Sequence, residues 1–487
     1  MFSVGIAHIE WPIPPRMGQE EVASKLAELL LDGKRILFSA PTGWGKTMTV
    51  LAALKASDLL PAVWMGRSLV LGKRVGDDAA LWSLRAFVSA GRERTCLLAD
   101  ELNGAVHDFC KYMRYRCPYA RFPPSYSLPL IAFSYIEVVT RGKGEGWCPY
   151  YAQDFVEADI CIQNYFKRPA QTKCIVIDEA HNLLMPRETR IPLSKLVEGV
   201  TVLREIGVSS KLLHAAESLI RYITVKDGAL EINLFLNENE LNELKELYLE
   251  RLKEGDPRLR SFLELSRGVT YIEGEKVLVF KPESLPNFRP CILVSATIPE
   301  IGGNILQVDA EIKIPWTRKL RATIVEDVTT KFDEFDTNMV LRYKGLLISV
   351  ASDYKRVLVF AASERVAKEL LSLATYYETE PPPNWEGLLL LKARGRFSEG
   401  VDLPADAVVI AGAPFLPPEV SDRLAKMYRV VGMHAPLKAA VDIPMLIATL
   451  QCIGRAWRRP NTETIVFLAD SRFSKYIKDL GSYLEIQ

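Results

Sequence analysis

The chain has 487 residues, of which 48% are hydrophobic and 25% charged, with 29 glycines and 29 prolines. A length of this order sets a prior of about two to four domains, and the ordinary globular balance excludes disordered and collagen-like classes. A formal net charge of +1 supplies no global field that would advertise a nucleic-acid partner, although charges segregated by face can still leave a local basic groove.

The N-terminal stretch "MFSVGIAHIEWPIPPRMG" has no basic segment followed by an apolar core, and no apolar run approaches the length of a bilayer span. The expectation is a cytoplasmic protein without membrane contact. Short β-like apolar runs alternate with helical patterns from Lys34 to Met65, from Ala158 to His181, and from Arg356 to the C-terminus. Such alternation predicts an α/β chain with parallel sheets and crossover helices. Predicted strands are "RILFSA", "KCIVIDEA", "PCILVSAT", "RVLVFAA", "LLLLKA", "AVVIAGA" and "TIVFLAD".

The first strand runs into "SAPTGWGKT" and then into the helix-like "KTMTVLAALKA". A strand, a glycine-rich turn and a helix in that order make a phosphate loop. Gly43 and Gly45 let backbone N–H groups point at phosphates, Lys46 supplies a mobile positive charge, and the Thr47 hydroxyl can reach Mg²⁺. The leading position is Ala40 where the strict pattern has glycine.

Two stretches break the alternation. Residues from about 85 to 157 are rich in Arg, Tyr and Pro with no strand pattern, and residues from about 186 to 283 turn helical and charged. Both read as insertions into the first α/β unit. Eight cysteines in a chain this long are too few for a disulfide scaffold. Cys161, Cys174, Cys291 and Cys452 lie in apolar runs or a helical pattern and are expected in the core. Cys96, Cys110, Cys117 and Cys148 fall instead in the first insertion, the last of them in the turn "GWCPY". A free thiol in a turn is an oxidation hazard, so these four call for an explanation.

"CIVIDEAHNL" ends an apolar strand in carboxylates, taken here as the neighbour of the phosphate-loop strand. Asp178 can hold the Mg²⁺ shell, Glu179 can orient and deprotonate an attacking water, and His181 can sense the phosphates from the adjacent turn. "LVSAT" closes another strand with hydroxyls at Ser295 and Thr297. "GRFSEGVDLP" carries Glu399 and Asp402 in a turn, and "QCIGRAWRR" sets Gln451, Arg455 and Arg458 near one helical face. Glu399, Asp402 and Gln451 are candidate nucleotide contacts. Arg455 and Arg458 are candidates for the charge that builds on a transferring phosphoryl group.

Together, "GWCPY", "ADICIQNYF", "DEAH", "RFSEGVDLP", "QCIGRAWRR" and "VFLADSRFSKY" closely resemble the XPD branch of superfamily-two DEAH-type helicases, the iron–sulfur helicases. The resemblance runs from Gln19 to about Tyr476 and is weakest in the helical insertion. It implies two RecA-like parallel-sheet motor domains, with an iron–sulfur domain and a helical arch-like insertion in the first. The implied bounds are 1–84, 158–185 and 284–317 for the first motor domain, 85–157 for the iron–sulfur domain, 186–283 for the arch-like insertion and 318–487 for the second motor domain. It also implies that Gln19 contacts the adenine and that Arg92 sits beside the cluster.

The cysteines then read as C-x13-C-x6-C-x30-C, a thiolate set able to ligate a 4Fe-4S cluster. The family's middle interval is shorter, so the match is loosest at Cys117. Zinc or another metal, unligated thiols and a disulfide are the alternatives, but the paired C-x₂-C spacing of structural zinc sites is missing and stable disulfides are rare in most cytosolic proteins. The implied cofactors are ATP, Mg²⁺ and the cluster, and the implied partners are single-stranded and forked DNA, with the chain acting as a monomer. The implied activity is ATP-driven 5′ to 3′ translocation with duplex unwinding, in DNA repair. Two other readings stand beside it: a DNA-stimulated translocase that does not unwind, and a non-motor iron–sulfur DNA-binding module.

Overall fold

Apolar strands, many of them followed by a helix, build two parallel sheets in this chain. The structure, a computed structural model, describes residues 9–41, 43–67, 69, 71–102, 104–169, 172–281, 288–298, 302–315, 319–395, 403–430, 433, 435–456 and 463–487. Two compact units divide the chain.

The first unit is centred on a seven-stranded sheet in the order Ala310–Lys313, Arg35–Ser39, Cys291–Ser295, Cys174–Ile177, Ala62–Gly66, Ile160–Asn164, Ala86–Val88. The strands from Cys291–Ser295 to Ala86–Val88 pair in parallel. The Arg35–Ser39 and Cys174–Ile177 strands are not neighbours, contrary to the expectation from sequence, because Cys291–Ser295 lies between them. Its side chains are buried throughout, which suits the centre of a parallel sheet covered on both faces. The strand Ala86–Val88 also extends this sheet past residue 84, where the first insertion was expected to begin. Three residues are too short a run to show a pattern in sequence.

The second unit holds a seven-stranded sheet in the order Tyr376–Tyr377, Gly387–Lys392, Arg356–Ala361, Ala407–Ala411, Ile465–Ala469, Leu320–Ile324, Leu484–Ile486. Every pairing in it is parallel. Its two faces bury separate apolar clusters, one around Phe360, Leu391 and Ile453, the other around Tyr343, Val359 and Leu390.

The stretch from 186 to 283 is not purely helical as expected. Helices Leu193–Glu205, Ser210–Val225, Glu238–Lys253 and Arg260–Leu265 stand with a four-stranded antiparallel sheet, ordered Arg187–Pro192, Lys276–Lys281, Val269–Glu273, Gly228–Leu230. "GVTYIEGEKVLVF" carries the hairpin signal, β-rich runs joined at Gly274 with φ +59°. Among the described residues no helix is long and apolar enough to cross a membrane.

Candidate active site and cysteine cage

The phosphate loop begins where the buried strand Arg35–Ser39 ends, and Ala40 N–H donates to the Ser295 carbonyl at 3.2 Å. Gly43 and Gly45 hold φ of +80° and +97°, a region that only glycine enters without strain. A Cβ on Gly45 would also lie 2.3 Å from Gln19 Nε2, the movable end of a side chain, so it is the backbone conformation that demands glycine there. Gln19 is buried against the loop: its Nε2 donates to the Gly45 carbonyl at 3.4 Å and its Oε1 accepts from Arg16 N–H at 2.7 Å. The helix Lys46–Ala56 starts at the loop's end, with Thr49 Oγ1 donating back to the Gly45 carbonyl at 3.2 Å.

Burial pushes the Lys46 ammonium down to about 8, with Arg74 pressing the same way and Asp178 and Glu179 opposing. Lys46 and the two carboxylates therefore share one electrostatic field at the C-terminal ends of the strands. Asp178 follows the strand Cys174–Ile177 and is anchored by its N–H to the Met65 carbonyl at 2.7 Å. Its Oδ1 accepts from Glu179 N–H at 2.9 Å, and its Oδ2 accepts from Trp64 Nε1 at 3.4 Å and Arg74 Nη2 at 3.2 Å.

Glu179 is exposed and adopts φ +50°, ψ +45°, a costly conformation for a non-glycine residue. Tyr165 holds it there, donating its hydroxyl to the Asp178 carbonyl and, at 3.2 Å, to the Glu179 carbonyl. His181 lies buried in the turn Ala180–Leu184 that follows. Thr47 is buried in the first turn of its helix. A carboxylate that draws a guanidinium, in the field of a lysine on a phosphate loop, is a donor set suited to a hard divalent cation and the phosphates it bridges.

In the second unit Gln451 and Arg455 lie four residues apart on the helix Asp442–Ala456, so they share a face. Arg455 is buried, and its carbonyl accepts from Leu403 N–H at 3.1 Å. Arg458, Glu399 and Asp402 lie outside the described residues. Sequence reasoning missed a polar hub here. Asp470 is fully buried and accepts from Arg472 Nε at 2.8 Å, Arg472 Nη2 at 2.7 Å, Thr330 N–H at 3.0 Å and Ala413 N–H at 3.1 Å. Burial alone would raise its pKa, but the Arg472 guanidinium and the amides hold it below the ordinary carboxylate value.

The turn "GWCPY" has a structural account. Helix Tyr135–Glu145 ends at Gly146 with φ +78°. Trp147 then drops into a small core with Phe87, Leu130, Val138 and Ala152. Gly142 makes room for it, since a Cβ there would sit 2.9 Å from the indole. Cys148 follows as N-cap of the helix Pro149–Ala152, with proline at its favoured first position. Cys96 closes the helix Arg92–Thr95, Cys110 lies on Val106–Tyr112, and Cys117 closes Arg114–Arg116.

Those four cysteines line one cavity with Arg92, Arg114, Tyr150 and Tyr151. Arg92 stacks 4.3 Å over the Tyr150 ring and Arg114 4.1 Å over Tyr151, whose hydroxyl is 3.6 Å from Cys110 Sγ. All eight cysteines are free thiols. Cys174, Cys291 and Cys452 are buried, whereas Cys161 is half-buried against the Phe87–Trp147 core. Burial, and then the nearby Cys117, Cys148 and Cys110, push the Cys96 thiol up to about 11 against a backbone hydrogen bond at Leu98. Burial likewise raises the Cys148 thiol, and a cationic centre would favour the thiolate form of both.

Among the described residues no three His, Cys, Asp or Glu side chains converge on a point where they could hold one metal ion.

The cage is tied to the first sheet and to the second insertion. Gln153 is buried, with Oε1 accepting from Ser89 Oγ at 2.9 Å and Ala90 N–H at 2.8 Å, and Nε2 donating to the Ala90 carbonyl at 3.1 Å. Lys167 donates to Ser89 Oγ and lies 5.5 Å over Tyr150. On the other side Tyr248 of the second insertion donates to Asp108 Oδ2 at 2.6 Å, and Arg116 Nη1 donates to the Lys253 carbonyl at 3.0 Å.

Tandem parallel sheets, with a phosphate loop and an acidic strand end on the first, define a two-sheet RecA-like motor architecture. Residues 346–485 match the helicase C-terminal domain family model, Helicase_C_2. The particular likeness is to XPD-type helicases along the whole chain. The ATP-dependent DNA helicase XPD of Sulfolobus acidocaldarius is 24% identical over 543 aligned positions, covering 93% of this chain and 95% of the relative. A solved XPD helicase shares the fold with a TM-score of 0.71 at 20% identity, covering 98% of this chain and all of that one. The S. tokodaii Xpd4 structure shares it at 0.60 and 18% identity, covering 97% and 100% of the two chains.

Proposed function

We propose that this protein is an ATP-dependent DNA helicase of the XPD type, moving 5′ to 3′ along single-stranded DNA and opening duplex in DNA repair. The observation that carries the reading is the joint field of Lys46, Asp178 and Glu179 beside a glycine-dependent loop at one end of a parallel sheet. Likeness to a relative named as a DNA helicase over 93% of the chain supports the choice of substrate.

In this reading Gly43, Gly45 and Lys46 hold the phosphates, Thr47 and Asp178 hold Mg²⁺, and Glu179 orients the attacking water. Gln19 and His181 support the nucleotide side, joined by Glu399, Asp402 and Gln451, and Arg455 with Arg458 answers the transition-state charge. Cys96, Cys110, Cys117 and Cys148 hold a 4Fe-4S cluster, which supplies a rigid crosslink to a region with little core of its own. Arg114 lines the cage, the Arg121 carbonyl accepts from Cys148 N–H at 3.0 Å, and Phe122 packs edge-on against Tyr151, with Tyr115 and Phe122 exposed nearby in the chain. That mixture suits a phosphate backbone and unpaired bases, so forked DNA is the proposed partner of a monomer in the cytoplasm.

The test is strand displacement by anaerobically purified protein with ATP and Mg²⁺, on duplexes carrying a 5′ or a 3′ single-stranded tail. Opening of the 5′-tailed duplex alone is the expected result. ATP hydrolysis accelerated by single-stranded DNA with neither duplex opened would replace unwinding by translocation.

A further inference from the structure

Asp178 is the carboxylate on which the proposed ATPase chemistry rests for its metal, and its oxygens are unequally held. Oδ1 meets one donor, the Glu179 N–H at 2.9 Å. Oδ2 meets two, Trp64 Nε1 at 3.4 Å and Arg74 Nη2 at 3.2 Å, which fill the two lone-pair directions of that oxygen. The two donors differ in freedom. Trp64 is 1% exposed within the strand Ala62–Gly66 and cannot leave. The Arg74 side chain is 64% exposed on the helix Leu71–Leu81, while its partner carboxylate is 8% exposed. A largely exposed cation thus sits on a buried anion.

Asp178 attracts Arg74, Lys46 feels it as a like charge, and Asp78 on the same helix feels it as a counter-charge. A hard divalent cation brought to Asp178 would stand within a few ångströms of the guanidinium, where like charges repel most strongly in partly buried surroundings.

We propose that Arg74 and Mg²⁺ are competing occupants of Asp178, so that metal–nucleotide binding expels Arg74 and reports its arrival to the helix Leu71–Leu81. Arg74 is then a positioning residue acting through Asp178. By linkage, whatever holds Arg74 on Asp178 weakens the metal, and whatever draws Arg74 away strengthens it. The inference rests on the nucleotide-binding reading of the phosphate loop.

The experiment titrates fluorescent mant-ADP into the full chain over a series of Mg²⁺ concentrations. It reads the Mg²⁺ midpoint at which mant-ADP affinity rises, with no turnover involved. Arg74→Met keeps the stem and removes the charge, and lowers that midpoint roughly fivefold, the equivalent of one partly exposed ion pair. Arg74→Lys restores the charge and stays within about twofold of wild type on the same scale. A midpoint that is unchanged or raised in Arg74→Met overturns the competition, as does an Arg74→Lys midpoint that falls with it. Wild-type protein that binds no mant-ADP at any Mg²⁺ concentration overturns the nucleotide reading and the competition with it, whereas normal mant-ADP binding with an Arg74-independent midpoint overturns the competition alone.

Discussion

Tyr248→Phe isolates the bond that fastens the second insertion to the cysteine cage. The hydroxyl donates to Asp108 Oδ2 at 2.6 Å, and Tyr248 and Asp108 are 3% and 4% exposed. Burial and the Asp108 charge hold the phenol well above its ordinary pKa, so it is a neutral donor at every working pH. Phenylalanine keeps the ring in its core beside Leu244 and Leu252, and only the hydrogen bond is lost. Asp108 retains Arg260 at 3.5 Å, and the Arg116 bond to Lys253 and the Arg260 bond to Gly104 persist. A buried bond to a charged acceptor contributes about 2 kcal/mol, equivalent to roughly thirtyfold in a local opening equilibrium. Native-state hydrogen exchange by mass spectrometry reads that opening in peptides spanning Val106–Tyr112 and Glu238–Lys253. Both should exchange about thirtyfold faster, with the strand Arg356–Ala361 unchanged. A change below about threefold, or one spread over both units, would refute the latch.

Cys148→Ser should lose iron and impair unwinding more than mant-ADP binding; full iron content by metal analysis would remove Cys148 from the ligand set. Glu179→Gln should lower ATP turnover by about a hundredfold or more while ATP stays bound, and near-normal hydrolysis would reject it as the water-orienting base. Asp470→Asn should destabilise the second unit by about 3 kcal/mol, because Arg472 and the amides of Thr330 and Ala413 lose a buried anionic acceptor. The Asp470 pKa is depressed in the folded chain, so its contribution is complete above the ordinary carboxylate value near 4 and fades as pH falls through the lower folded value. The difference in thermal unfolding between wild type and variant should therefore be full at pH 7 and shrink in acid; a constant gap across that range would count against the charge.

What could be read from sequence was what local chemistry fixes. "RILFSA" and "KTMTVLAALKA" became a strand and a helix because apolar pattern and glycine turn agree at every position. Gly45 was legible as a phosphate-loop glycine, but its contact with Gln19 spans 26 residues and has no local sign. Trp64 and Arg74 were invisible for the same reason: a lone arginine in "LGKRVGDD" reads as a solvated helix face, and 64% of its side chain is solvated. Tyr165 lay inside the quoted "QNYF", yet only the structure joins its hydroxyl to the strained Glu179. The hairpin Val269–Lys281 carried a β-rich, glycine-joined signal that the surrounding charged helices outweighed.

The cage is a mechanical intermediate as well as the proposed metal site. Within the first unit, Ser89 and Ala90 at the end of a sheet strand hold Gln153, and Gln153 follows the helix that Cys148 caps. Cys110 lies on the same seven-residue helix as Asp108, which holds Tyr248 of the second insertion. The sheet and the insertion are therefore joined through two short helices that bury few apolar side chains, among them Ala152 and Val106. Helices of four and seven residues are too short to persist alone. Whatever fixes Cys110 relative to Cys148 fixes the path between sheet and insertion. A ligand that binds both thiolates would stabilise that path by its own affinity, since an unfolded cage presents no preformed site. Loss of Cys148 should then loosen Glu238–Lys253 as well as Pro149–Ala152, although Glu238–Lys253 carries none of the four cysteines. Hydrogen exchange on Cys148→Ser separates the two cases: loosening confined to Pro149–Ala152 would mean that the Asp108 latch stands without the cage.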